Sequence, residues 1–121
     1  MDRDLVAGLA GVRTIRITTT GRRSGRPVHT EIWWFHFEDR FVITGTPGPR
    51  DWLANAQADP RIVVHVLGQD LHATTVPVTD QAFRSRFFAQ SDPEVHWYTE
   101  QAELSDLVSS APMIEVLFGE A

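Results

Sequence analysis

Three arginines, a serine and two glycines fall within one short stretch of this chain, and together they have the makings of an anion site. The stretch is Thr18-Thr19-Thr20-Gly21-Arg22-Arg23-Ser24-Gly25-Arg26-Pro27. Gly21 and Gly25 can take the positive φ angles that a tight turn needs. Arg22, Arg23 and Arg26 remain charged at physiological pH, and a guanidinium forks onto carboxylate or phosphate oxygens in pairs. Ser24 and the backbone N–H groups of the turn add neutral donors that can form an anion-binding nest. The same residues also read as a polar turn kept soluble by arginine. The reading with chemical content is a concave, cationic hairpin tip.

Other chemistries are narrowed by what the chain contains. It has no cysteine, which excludes disulfides, thiolate catalysis and cysteine metal sites. All 11 basic residues are arginine, so lysine Schiff-base chemistry is excluded as well. The five histidines, at positions 29, 36, 65, 72 and 96, lack metal-ligand spacing and read as scattered structural residues. No metal is expected. Ser24 lies between arginines, without a nucleophile-elbow sequence around it.

Charge is unevenly spread. Residues 1–50 carry eight arginines against five carboxylates, and residues 51–121 carry three against eleven. The net charge of −5 argues against general nucleic-acid binding, which rests on neutralising many phosphates. A local site for a small anionic ligand is compatible with it. The length suits a single domain over residues 1–121, and 42% hydrophobic residues suffice for a core. No apolar run reaches the roughly 18 residues of a membrane span. The N-terminus, Met1-Asp2-Arg3-Asp4, has no signal-peptide pattern, so a cytoplasmic location is expected.

The elements that must position the arginine turn follow from residue patterning. Residues 4–10 suggest a short helix stopped by Gly11. From Val12 to Thr20, β-branched residues alternate as in a strand. Pro27 opens a second strand over 28–37, whose Trp33, Trp34, Phe35 and Phe37 suggest cover on both faces. Residues 41–44 make a third. Gly45-Thr46-Pro47-Gly48-Pro49 must be irregular. Asp51 is read as the N-cap of a helix ending before Pro60. Strands follow at 62–67 and 71–78. Asp80 and Asp92 cap further helices, the second with Pro93 at its first position. A last strand runs over 112–118. The order favours an α+β fold: a mainly antiparallel, six-stranded sheet curled into a barrel, with peripheral helices.

Residues 18–27 resemble the TTTGR(K/R)(S/T)GxP signature of the deazaflavin-dependent nitroreductase family. Residues 52–61, Trp52-Leu53-Ala54-Asn55-Ala56-Gln57-Ala58-Asp59-Pro60-Arg61, resemble its W-x-x-N-x-x-A-x-P motif. The family implies a split β-barrel similar to flavin reductases. It also implies coenzyme F420, an 8-hydroxy-5-deazaflavin bearing a phosphate and an oligoglutamate tail. Members transfer hydride from the reduced cofactor to nitroaromatics, quinones or unsaturated carbonyl compounds. Wider relatives of the fold bind FMN or haem, and a non-catalytic module holding one of these ligands is the alternative.

The resemblance implies roles residue by residue. Arg22, Arg23 and Ser24, on the turn shaped by Gly25, match positions that hold the phosphate and tail. Pro27 and Thr30 match the strand beside the ring, and Thr44, Gly45 and Thr46 match the segment beneath it. Trp52 and Asn55 match the helix motif. The loop before Trp52 is short, and Arg50 stands in for a phosphate-binding lysine of the family. The C-terminal helices would line the substrate side. There Tyr98, the only tyrosine, is the candidate catalytic proton donor and equally a packing residue. A small-molecule substrate is implied, and the strand aromatics would suit a homodimer interface. Arginine-only usage fits a GC-rich genome such as those of actinobacteria, where F420 is common.

Overall fold

The computed structural model describes residues 2–119. The chain runs α1 (Asp2–Gly8), β1 (Thr14–Thr20), β2 (Pro27–Trp33), β3 (Phe35–Phe37), β4 (Arg40–Thr44), α2 (Asp51–Ala58), β5 (Arg61–Val66) and β6 (Gln69–Pro77). It continues through α3 (Gln81–Ala89), α4 (Pro93–Gln101) and α5 (Leu104–Ser110) to β7 (Met113–Phe118). Every strand pairing is antiparallel, in the order β2-β1-β5-β6-β7-β4-β3.

The two edge strands, β2 and β3, are consecutive in sequence. Their edges must therefore be neighbours, and the sheet curls until β2 approaches β4. The result is the expected antiparallel half-barrel with peripheral helices, but with seven strands instead of six. The long second strand of the sequence reading divides at Trp34. There the chain leaves β1 and takes up β4 as its partner. Arg13 holds the crossing point: its carbonyl accepts from Trp34 N (3.1 Å) and its Nη1 donates to Trp34 O (2.8 Å).

Two cores result. Inside the curl, Trp34 stacks on Phe41 (4.0 Å between ring centroids), among Ile15, Ile17, Ile43, Trp52 and Val64. Outside it, Phe35 and Val42 face Phe83, Phe87, Val95, Tyr98 and Leu107 of α3–α5. The segment over 34–42 is thus covered on both faces, as its aromatic run suggests.

Hairpin turns follow their φ requirements. Glu38-Asp39 (φ 51°, 63°) and Leu67-Gly68 (φ 51°, 74°) both have two positive φ values, the geometry of tight two-residue hairpins. The second turn comes slightly earlier than the Gly68–Asp70 turn of the sequence reading. Asp80 and Asp92 cap α3 and α4 as expected, accepting from Ala82 N (3.0 Å) and Glu94 N (2.9 Å). Asp51 does not cap α2. Arg50 occupies the cap position, and the Asp51 carboxylate turns to Arg22 instead (3.3 Å). Arg84, 5% exposed, donates to the carbonyls of Val78, Leu107, Val108 and Ala111 and so clamps α5 to the barrel.

Candidate functional site

The arginine turn joins β1 to β2 at one end of the curl. Gly21 N donates to Arg26 O and Gly25 N to Gly21 O, both at 2.8 Å, and Gly25 sits at φ 73°. A Cβ on Gly21 would lie 2.6 Å from Ser24 Oγ and 3.2 Å from Arg26 O, so the turn is too tight there for a side chain. Ser24 Oγ accepts from Arg26 N (3.1 Å), which leaves its hydroxyl proton free to donate outward.

The turn is docked on α2 through Asn55, which is 2% exposed. Asn55 Oδ1 accepts from Arg22 N (3.1 Å) and Arg22 Nη1 (2.9 Å), and its Nδ2 donates to Thr19 Oγ1 (3.2 Å). The two sequence motifs therefore meet through this one buried amide. Arg22 is occupied within the fold. Arg23 and Arg26 are exposed, and among the described residues neither is paired with a carboxylate. A cleft of about 250 Å³ opens here, bounded by the turn, Val28, Asp51 and Asn55.

The loop before α2 is the second component. Thr44, buried at the end of β4, donates its hydroxyl to Pro112 O. Arg50 reaches back across the loop, its Nη2 donating to Thr46 O and Thr46 Oγ1, both at 2.9 Å. Gly48 lies at φ 135°, and a Cβ on it would come within 3.3 Å of Arg50 Nη1. Arg50 is thus the brace of the 45–50 loop. Trp52 is 6% exposed and packs in the inner core, anchoring α2. On β2 the register puts Pro27 and Thr30 on opposite faces: Thr30 shares the inner side with Val28, opposite Ile17.

Beyond that loop lies a larger cleft of about 920 Å³, bounded by Thr46, Pro47, Trp97 and the turn between α4 and α5. Trp97 is 46% exposed, and its ring meets Trp33 edge-on at 6.0 Å. Tyr98 is buried beside it, against Trp33, Phe35 and Phe88. Burial pushes the Tyr98 phenol up to about 12, and the positive charges of Arg13 and Arg50 only partly oppose this.

A further cluster was not visible in the sequence. His65 Nδ1 bonds Asp70 Oδ1 (2.7 Å), His65 Nε2 bonds Thr18 Oγ1 (2.6 Å), and Thr18 Oγ1 bonds His29 Nδ1 (2.8 Å). The four residues come from four adjacent strands on the outer face. Strand parity alone would have aligned them once the pairing was known. Among the described residues, no group of three or more histidines and carboxylates is arranged to hold a metal ion. Arg26 is the other omission. Its place in the turn marked it as a cation, but the resemblance drew attention to Arg22 and Arg23.

With this geometry in hand, the sequence matches the family described as F420H(2)-dependent quinone reductase over residues 2–108. No curated protein matches at the sequence level. Among solved structures, the chain is similar to an F420-H2 dependent reductase, with 16% identity, TM-score 0.54, and coverage of 86% of this chain and 93% of that one. It is also similar to a FAD-binding protein from Mesorhizobium loti, with 15% identity, TM-score 0.65, and coverage of 97% and 88%. A structure described as a domain-swapped dimer matches with 18% identity, TM-score 0.57, and coverage of 94% and 91%. At these identities the structural likeness shows the fold.

Proposed function

The chain belongs to the F420H2-dependent quinone reductase family, whose members are oxidoreductases that use coenzyme F420, and from that premise we propose how its residues divide the work. The observation that carries the proposal is the pair of guanidiniums, Arg23 and Arg26, that have no carboxylate partner among the described residues, on a turn anchored by a buried amide. A donor set of two free cations and the Ser24 hydroxyl fits a phosphate and an oligoglutamate tail. Arg22 and Asn55 hold the turn in place. Thr30 of β2 and the 44–46 loop, braced by Arg50, would hold the ring. Pro27 fixes the start of that strand.

When bound, the reduced deazaflavin supplies a hydride. The residues of this chain orient, exclude water and select. The cleft beside Trp97 takes the acceptor, a quinone by family membership, with nitroaromatics and enones as acceptors of the same chemistry. Tyr98 is buried behind Trp97 in the outer core and serves as packing: a phenol pushed up to about 12 is too weak an acid to give up a proton readily at neutral pH. Such a protein works in the cytoplasm, where reduced cofactor is available. The likeness to a domain-swapped dimer supports a homodimer. Titration of F420 and FMN, followed by tryptophan fluorescence, tests the reading. F420 should bind more tightly, and equal or tighter FMN binding would refute it.

A further inference from the structure

We propose that the cleft between the 46–47 loop and the α4–α5 turn is built for a planar organic cation, ranks neutral acceptors second and discriminates against anions. The proposal rests on the reading of this cleft as the acceptor site and names its substrate class.

The first observation is shape. A cleft of about 920 Å³ has room for a fused-ring molecule, and its apolar lining is Pro47 and Ala102 with the part-exposed side chains of Trp97 and Leu104. An indole ring is the best aromatic partner for a cation. The second observation is charge. Glu100, Glu103 and Asp106 line the cleft, and among the described residues no arginine or histidine does. None of the three forms an ion pair among the described residues, whereas Asp51, Asp59, Asp92, Glu38 and Glu115 all do. Arg50, on the adjoining loop, directs its guanidinium to the Thr46 and Pro49 carbonyls. An indole face beside three free carboxylates is a surface that recognises cations.

The same polarity serves the cofactor. The acidic cleft borders the 45–51 segment at Thr46 and Pro47 and the arginine-turn cleft borders it at Asp51, so an anionic tail is drawn to one and repelled by the other. The redox chemistry agrees. Reduced F420 gives up two electrons and a hydrogen as hydride. A C–H bond, or an N–H bond in a phenazinium, forms on the acceptor, and the hydride's electron pair cancels the acceptor's positive charge. The second proton of the reduced cofactor leaves to solvent: F420H2 + A⁺ → F420 + AH + H⁺. No protein acid is needed, in keeping with a Tyr98 that is buried and held protonated. The neutral product loses its attraction to the carboxylates, which favours release.

The probes are N-methylphenazinium, phenazine and phenazine-1-carboxylate, which share one ring system and differ in charge. Equilibrium dialysis against the full chain, with and without F420, measures their binding without reference to turnover. Each carboxylate acting across an open, wet cleft should change the affinity of a unit charge by about twofold. With three carboxylates the cation should therefore bind about eightfold more tightly than the neutral ring and the anion about eightfold more weakly, a span on the order of 60-fold at low salt that should narrow as salt rises. Combining Glu100→Gln, Glu103→Gln and Asp106→Asn should flatten the series. If that variant is destabilised, the salt response of the wild-type protein decides alone. Equal binding of the three probes, tighter binding of the carboxylate, no binding at all, or a charge order insensitive to salt would overturn the proposal. A charge-ranked series with no F420H2 consumed by any probe or quinone would leave the cation preference standing and remove the acceptor-site reading. F420H2-dependent reduction without a charge order would do the reverse.

Discussion

Arg22 and Arg23 are neighbours of identical type in different surroundings: Arg22 is bonded to Asn55 and Asp51, whereas Arg23 has no carboxylate partner among the described residues. Replacing Arg23 by alanine removes an exposed side chain with no carboxylate partner among the described residues. Its effect on stability should stay within about 0.5 kcal/mol. If it contacts the cofactor's phosphate or tail, one charge-assisted hydrogen bond is lost, about 1.5–3 kcal/mol, or roughly 10- to 150-fold in affinity. Replacing Arg22 removes the bond from Nη1 to Asn55 Oδ1 at 2.9 Å. Its contact with Asp51 adds little, because that carboxylate is 86% exposed. Asn55 Oδ1 keeps its bond from Arg22 N, so no buried acceptor is orphaned. The cost should be about 1 kcal/mol, which lowers the melting temperature by about 3–6 °C. Affinity should fall only as far as the turn loosens. The assay is a thermal melt and an F420 titration on wild type, Arg22→Ala and Arg23→Ala. A destabilised Arg23→Ala with unchanged affinity would refute the division of labour. So would an Arg22→Ala that melts like wild type but no longer binds.

Asn55→Ala strips the turn of its two bonds from one buried amide and leaves Thr19 of β1 without its bond from the same group; urea denaturation should show a loss of about 2–4 kcal/mol. Arg84→Ala removes the guanidinium from the carbonyls of Val78, Val108 and Ala111 and leaves Leu107 O only its bond from Ala111 N, so a comparable or larger loss of about 3–5 kcal/mol is expected from the same measurement. Tyr98 is the only tyrosine, so the ultraviolet ionisation signal of the protein belongs to it alone; its midpoint should fall near 12 instead of the ordinary 10.0. Because the folded phenol holds its proton more tightly than the unfolded one, the stabilisation is fully present below the unfolded value and is lost as pH rises through the folded one. Tyr98→Phe should therefore flatten the fall in stability between those two values, as read by urea melts across that window.

Much of the fold was legible because local signals agreed. β-branched alternation marked β1, and the Asp80 and Asp92-Pro93 caps marked α3 and α4, since each signal acts within a few residues of itself. The break at Trp34 was not legible. It depends on β2 and β3 taking partners at opposite edges of the sheet, and on Arg13 holding the crossing point. The Asp51 cap failed for a similar reason: a carboxylate that could close its own helix is drawn instead to Arg22, 29 residues away. In the site, residue types gave the cationic turn and the resemblance joined it to the Trp52–Asn55 motif. Only the structure separates the arginine that is occupied from those that are free. The acidic cleft was present in the sequence as the surplus of carboxylates after residue 50, but nothing local says that Glu100, Glu103 and Asp106 share one wall with Trp97.

The central claim is that this turn holds the anionic end of F420. The most direct measurement compares F420 with the same deazaflavin lacking the phosphate and oligoglutamate tail, titrated against wild type and against the Arg23→Ala, Arg26→Ala double variant. Intact F420 should bind wild type at least about tenfold more tightly than the tailless ring, and the advantage should collapse in the double variant and in high salt. Equal affinity of the two ligands for wild type, or an advantage that survives loss of both arginines, would contradict it.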